Sequence, residues 1–276
     1  MTHKPVLPFI KAMTQRYLRH RVGTQSAALA FYLLFSIFPF LIFLSSLLGL
    51  LSLNIEAILQ GLAQLLPSEV VSIIESYLYY VGSNSSVQLL LLGLFFSFYF
   101  PMRATNVLMR GVRTAYRLGP PLSPVFHVAK TLLYTLLLLL TIALTLTLMT
   151  VGDRALTYAV TTFGLPVEIA QLWVGLRFPL LALVMYTAIH TLYAMSQNSR
   201  LPFRALAPGA LTALLAWMCV SWLYAYYVDN LANYAQLYGS IATMIVFLIW
   251  LQISATVLLM GAEWNGALQG NHEQSP

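Results

Sequence analysis

Arg177 is the residue whose type and position most directly suggest chemistry, because it is a cation inside an apolar run as long as a membrane span. A charge near the bilayer centre costs about 2.5–3.5 kcal/mol on insertion scales, so such residues usually face the bundle interior or a watery cavity. Two interpretations stay open for it, an anion-binding site and a structural ion pair with Asp229 or Asp153. Gln252, in a later apolar run, belongs either to a substrate path or to helix packing. We take Arg177, Gln252 and Asp229 as candidate substrate-binding residues.

Signatures of the common enzyme classes are missing from the sequence. It has no phosphate loop G-x-x-x-x-G-K-[ST], no dinucleotide fingerprint G-x-G-x-x-G and no G-x-S-x-G elbow. The histidines show neither H-x-H nor H-E-x-x-H spacing, and they are His3, His20, His127, His190 and His272. We therefore expect no catalytic residue, no metal site and no cofactor, and we interpret His127 and His190 as interfacial or packing residues.

The composition is that of a membrane protein. Of the 276 residues, 59% are hydrophobic and only 8% are charged, against about 25% charged in ordinary globular chains. This excludes a water-soluble domain and intrinsic disorder. The single cysteine, Cys219, excludes a disulfide scaffold.

Six apolar runs are long enough to be transmembrane helices. They cover residues 27–53, 87–102, 125–151, 167–195, 205–228 and 240–262. The first run is longer than the 7–15 residues of a signal-peptide core, so we expect it to be retained. The prediction is an all-α bundle of six transmembrane helices over residues 27–265, with a basic cytoplasmic segment 1–26 and a cytoplasmic tail 266–276.

The basic residues orient this bundle. All of the 14 Lys and Arg residues except Arg154 and Arg177 lie in the N-terminal segment or close to the loops after the second and fourth runs. Cytoplasmic loops carry such an excess of positive charge. We therefore expect both termini to lie in the cytoplasm.

A basic stripe continues from the second run. Arg103, Arg110 and Arg117 recur every seven residues, and Arg113 stands four residues before Arg117. Such a stripe sets topology and attracts anionic lipid headgroups. Nucleic-acid binding is disfavoured because no aromatic or glycine pattern of an RNA-binding module accompanies the stripe.

The segment 54–86, between the first two runs, is predicted to contain two amphipathic helices on the outer side, separated by Pro67. Two roles stay open for them. One is a structural lid packed on the bundle, and the other is a mobile gate over an outward opening.

Residues 238–267, YGSIATMIVFLIWLQISATVLLMGAEWNGA, resemble the last helix of the YihY/BrkB family of bacterial inner-membrane proteins. The matching residues are Tyr238, Gly239, Ser240, Trp250, Gly261, Ala262 and Glu263. The first run resembles the opening helix of the family at Ala30, Tyr32, Ser36 and Pro39, and residues 208–210 resemble the start of its fifth helix. The sequence departs from the family pattern at Arg113, where the family has Asn, and at Gln197, where the pair Pro-Asn is common.

The resemblance implies a six-helix inner-membrane protein, and members have been labelled ribonuclease BN, serum-resistance protein and suspected exporter of envelope lipid precursors. Three hypotheses follow. The first is transport or flipping of an amphipathic anionic envelope component, such as a lipid or glycolipid precursor, with membrane lipids as partners. The second is a non-catalytic scaffold, either a homo-oligomer or a partner of an envelope complex. An enzyme comes third, and ribonuclease activity is disfavoured because the sequence lacks a metal cluster.

Overall fold

The computed structural model of this chain describes residues 6–50, 59–60, 63, 71–72, 74–76, 78–79, 86–121, 123–163, 167–198, 201–231 and 240–272. Its long helices are α1 (Val6–Arg19), α2 (Val22–Leu50), α3 (Val87–Ala115), α4 (Pro124–Phe163), α5 (Val167–Met195), α6 (Phe203–Leu231) and α7 (Ser240–His272). No strand occurs in this part of the chain. The all-α class is therefore confirmed, whereas the two amphipathic helices predicted for 54–86 lie, apart from scattered positions, outside the described residues.

Six helices, α2 to α7, are long and apolar enough to cross a membrane. Only 11–28% of the residues in their most apolar windows are buried within the protein, as expected for helices whose outer faces contact lipid. Several helices extend beyond the predicted runs: α3 continues through the basic stripe to Ala115, and α7 continues to His272. Helical backbone satisfies its own hydrogen bonds, so a span can continue into polar sequence without a break.

Local signals explain where the helices at the basic loops begin and end. At the end of α3, the amide N–H of Leu118 donates to the carbonyl of Arg113, and the amide N–H of Arg117 donates to the carbonyl of Thr114. This is a Schellman ending, with Arg117 in the left-handed region at φ 54°. Ser123 precedes α4, and its Oγ accepts a hydrogen bond from the amide of Phe126. Pro124 is the first residue of the helix, a position that proline favours.

The chain forms two compact units. Unit 1 comprises residues 1–33, 102–137 and 185–276, and unit 2 comprises 34–101 and 138–184. In unit 1, α6 and α7 cross closely at Gly209 and Gly261, where a side chain on either glycine would collide with the backbone of the other. In unit 2, Gly93 of α3 lies against the backbone of Phe43 of α2. Small residues thus set the close helix contacts in both units, as is usual in membranes.

Candidate functional site

Unit 1 contains a buried acidic residue, Glu263 on α7, that is 1% exposed. Its carboxylate accepts a hydrogen bond from Arg16 Nη1 at 2.8 Å and lies 2.5 Å from His20 Nδ1. Arg16 also donates to the carbonyls of Ala115, at the end of α3, and Gly266. We call Arg16, His20 and Glu263 the Glu263 cluster. Its charges are paired internally, and it fastens α1 and the end of α3 to α7.

Asn265, also on α7, connects this helix to α6. Its Oδ1 accepts the amide of Gly209 at 2.7 Å, and its Nδ2 donates to the carbonyl of Leu206 at 2.8 Å. The side chain is fully buried, so these bonds satisfy polar groups that would otherwise be costly. Sequence reasoning missed Arg16, His20 and Asn265 as partners. The sequence signal for this cluster is the presence of Glu263 and Asn265 two positions apart in an otherwise apolar helix, because each side chain requires a polar partner when it is buried.

A second group of polar residues in unit 1 is cationic and surrounds Arg113, which is 6% exposed. Arg113 Nη1 donates to the carbonyl of Ser196 at 3.0 Å and to Asn198 Oδ1 at 2.8 Å, and Nη2 donates to the carbonyl of Gly119. Lys130 Nζ donates to the carbonyl of Gln197 at 3.0 Å. Two cations, from α3 and α4, thus hold the short segment that follows α5.

Two further basic residues complete this group. Arg110 lies on the exposed side of α3, and His127 Nε2 lies 3.3 Å from Asn106 Oδ1. We call Arg110, Arg113 and Lys130, together with the neighbouring imidazole of His127, the cationic cluster. Carbonyls at a helix C-terminus carry partial negative charge, which stabilises Arg113 and Lys130 at the end of α5.

Among the described residues, no acid neutralises the cationic cluster. The carboxylate of Glu263 pairs with Arg16 and His20, and within that part of the chain no carboxylate pairs with Arg110, Arg113 or Lys130. Burial raises the pKa of the Tyr116 hydroxyl, just past the end of α3, so this group stays neutral. The cluster therefore keeps a surplus of positive charge.

An open cleft of about 360 Å³ gives access to this charge. It is lined by Arg110, Arg113, Thr114, Leu118, Gly119, Pro120, Pro121 and His127. Three of the five N–H donors of Arg113 are bonded to the protein, so Arg113 contributes mainly its charge. The guanidinium of Arg110 is exposed and presents a planar set of donors that matches phosphate and carboxylate. The arrangement can therefore bind an anion.

The four arginines of the predicted basic stripe differ in burial. Arg103, Arg110 and Arg117 are exposed, whereas Arg113 is buried and holds the segment after α5. Arg103 also lies over the ring of Tyr32, 5.6 Å from its centroid. Arg113 differs because its turn of α3 packs into unit 1, where neighbouring Val112 is fully buried. Of the two positions at which the sequence departs from the family pattern, Arg113 belongs to the cationic cluster and Gln197 accepts a hydrogen bond from Lys130 through its backbone carbonyl.

The candidate substrate-binding residues lie in different units. Arg177 is half-buried on α5 in unit 2, with its guanidinium 4.8 Å from the ring centroid of Phe178. Gln252 is exposed on α7 in unit 1. Asp229 belongs to α6, and its side chain falls outside the described part. A shared binding role for the three remains a prediction.

The motif residues of the last helix are placed as follows. Tyr238 and Gly239 lie outside the described residues, and α7 begins at Ser240. Trp250 packs in an aromatic group with Trp217, Tyr224 and Phe247. Gly261 forms the close crossing with α6 and Glu263 forms the ion-paired cluster. The second half of the motif therefore holds unit 1 together.

Metal binding finds no support in the described ranges, which contain no group of three or more His, Cys, Asp or Glu residues able to hold an ion. In that part of the chain, the histidines lie beside single partners: His20 beside Glu263 and His127 beside Asn106. His190 stacks on Phe203 at 4.3 Å between ring centroids.

Comparison with known proteins identifies relatives along the whole chain. The ribonuclease-like protein YfkH of Bacillus subtilis is 30% identical over 262 residues, which is 95% of either chain. A UPF0761 membrane protein of Alkalilimnicola ehrlichii is 35% identical over 118 residues, 42% of this chain and 26% of that protein. A UPF0761 membrane protein of Pseudoalteromonas translucida is 33% identical over 86 residues, 31% of this chain and 29% of that protein. No solved structure matches the chain.

The family model described as virulence factor BrkB matches residues 13–276. This range includes both clusters of unit 1 and all six candidate membrane spans. The chain is a multi-pass membrane protein and belongs to the BrkB family, as its last helix predicted.

Proposed function

We propose that this protein transports or flips an amphipathic anionic envelope component, such as a lipid or glycolipid precursor, across the bacterial inner membrane. The observation that carries the proposal is the cationic cluster, which has no paired carboxylate in the described part of the chain and opens to a cleft. Ionisable groups within membrane segments usually mark substrate paths. Both termini are proposed to be cytoplasmic, so the cleft receives its ligand from the cytoplasmic side.

The geometry of Arg113 supports an anion-binding role. Its contacts to Ser196, Asn198 and Gly119 fix the guanidinium in place. A fixed donor group binds a ligand without first losing its own conformational freedom. Arg110 supplies an exposed cation at the cleft, where it can meet an arriving anion.

The role proposed here is not enzymatic. The name of the Bacillus subtilis relative describes a ribonuclease-like protein, but RNA hydrolysis requires a metal cluster or an acid–base pair beside the phosphate. The cleft is lined by three basic residues together with apolar and hydroxyl side chains. Cleavage of transfer RNA by the purified protein, supplied with Mg²⁺, Mn²⁺ or Zn²⁺, would contradict this proposal.

Transport in proteoliposomes tests the proposal. The full-length protein is reconstituted with fluorescent phosphatidylglycerol or phosphatidylcholine, and arrival at the outer leaflet is followed by dithionite quenching. We expect movement of the anionic lipid at least five times faster than that of the zwitterionic lipid, and loss of this preference in Arg113→Gln. Equal, non-zero rates for both lipids would overturn selection of an anionic substrate. No movement of either lipid would overturn transport and favour the alternative role as a non-catalytic scaffold.

Arg177 is proposed as a second cation on the path, in unit 2. We expect Arg177→Ala to abolish movement of the anionic lipid, because the substrate would lose its charged partner there. The yield of folded, monodisperse protein is the control and stays at the wild-type level. Normal transport by this variant would remove Arg177 from the mechanism.

A further inference from the structure

An apolar groove adjoins the cleft of the cationic cluster. It is lined by Thr24, Gln25 and Ala28 of α2 and by Val107, Arg110 and Thr114 of α3. Arg110 and Thr114 line the cleft as well, so the groove and the cleft are immediate neighbours. All of these residues belong to unit 1.

The polar side chains of the groove are largely engaged elsewhere. Gln25 Nε2 donates to the carbonyl of His20 at 2.8 Å, and Thr114 Oγ1 donates to the carbonyl of Arg110 at 3.0 Å. A peptide in the groove would bring backbone N–H and C=O groups that need partners. A hydrocarbon chain needs none, so the groove suits hydrocarbon better than a peptide.

The position of the groove along its two helices is consistent with a hydrocarbon chain as its occupant. Thr24 to Ala28 lie in the first turns of the span Val22–Leu47, and Val107 to Thr114 lie in the last turns of the span Val87–Ala115. At 1.5 Å per residue, Val107 and Thr114 are about 10 Å apart along α3. The groove therefore lies where the two candidate spans approach the basic loop, with Val107 on the side nearer the apolar part of α3.

We infer that the cleft and the groove form one binding site for a phosphorylated lipid, with the phosphate at the cationic cluster and one hydrocarbon chain between α2 and α3. Among the described residues, several basic groups without a paired carboxylate favour a phosphate monoester, which carries more negative charge than a single carboxylate. In this arrangement the lipid would enter the groove sideways from the leaflet. This inference rests on the proposed function and specifies its substrate class.

Binding of lysophosphatidic acid, which has one chain and a phosphate monoester, tests the site. Full-length protein in mild detergent is titrated with this lipid and analysed by native mass spectrometry. Ala28→Trp and Val107→Trp fill the groove from its two walls, so either remains informative if the other does not fold. Ala27→Trp is the matched control, because Ala27 neighbours Ala28 but is exposed and does not line the groove.

We expect both groove variants to bind lysophosphatidic acid at least tenfold more weakly than the wild type, with Ala27→Trp unchanged. Glycerol 3-phosphate, the same headgroup without a chain, should raise the melting temperature of the wild type and of the groove variants alike. Lysophosphatidylcholine should bind the wild type at least fivefold more weakly than lysophosphatidic acid.

Other outcomes would overturn the inference in distinguishable ways. Wild-type lysophosphatidic acid binding in both groove variants would remove the chain site and leave headgroup-selective transport standing. Equal binding of the two lysolipids would remove the phosphate site. Loss of headgroup preference in the proteoliposome assay would overturn the proposed function itself, whatever the groove variants do.

Discussion

The Glu263 cluster and the cationic cluster both lie in unit 1 and both involve the C-terminal end of α3, but they satisfy their charges differently. In the first, one carboxylate is shared by Arg16 and His20. In the second, Arg113 and Lys130 are held by neutral carbonyl and amide oxygens. The same helix end thus supports one site whose charges are paired and one that keeps a positive surplus.

This difference in how the two clusters satisfy their charges predicts different roles, structural stability for one and ligand binding for the other. A buried charge with a partner is costly to break, since removing the partner leaves an uncompensated ion. A cation held by carbonyls has stable geometry but still attracts an anion, because dipoles do not cancel its charge. The Glu263 cluster should therefore govern folding, and the cationic cluster should govern binding.

Glu263→Ala should have the largest effect on stability. It leaves Arg16 and His20 without their carboxylate, and breaking a buried pair in this way costs about 3–5 kcal/mol. The measurement is the free energy of unfolding in mild detergent. Arg16→Met combined with Glu263→Met should recover most of the loss, because the unpaired guanidinium is then removed as well. A loss below about 1 kcal/mol for Glu263→Ala would show that the cluster is not structural.

Arg113→Gln should cost less stability than Glu263→Ala and should change binding as well. Hydrogen bonds to a charged group contribute about 1.5–3 kcal/mol, and the groups left behind are neutral oxygens. Arg113→Lys keeps the charge without the planar set of donors and should restore part of the anionic-lipid preference. A full preference in Arg113→Gln would contradict the division of roles between the clusters.

Arg110→Gln should have the smallest effect on stability, within about 0.5 kcal/mol of the wild type, since the side chain is exposed. Binding of lysophosphatidic acid, measured by native mass spectrometry, should fall about fivefold, because one basic residue near the headgroup contributes about 1 kcal/mol. Arg117→Gln is the control, because Arg117 is exposed but does not line the cleft. Equal losses in the two variants would indicate general surface attraction instead of a defined site.

The helical architecture could be predicted from the sequence, and much of the site could not. Each of the six apolar runs predicts a span from its own residues, and the described residues contain six helices long and apolar enough to cross a membrane. Periodicity grouped Arg113 with Arg103, Arg110 and Arg117, although only Arg113 is buried. Heptad spacing indicates which side chains share a face of one helix. It does not indicate which turns of that helix are covered by another helix.

The sequence by itself determined a multi-pass helical membrane protein, because a bilayer offers no hydrogen-bond partners and long apolar segments must satisfy their backbone as helices. It also determined the family, through the motif of the last helix. Only the tertiary structure decided that Glu263 meets Arg16 and His20, which are separated from it by more than 240 positions. It likewise decided that Arg113 and Lys130 meet the segment after α5. Such contacts depend on how helices distant in sequence pack, which local pattern does not specify.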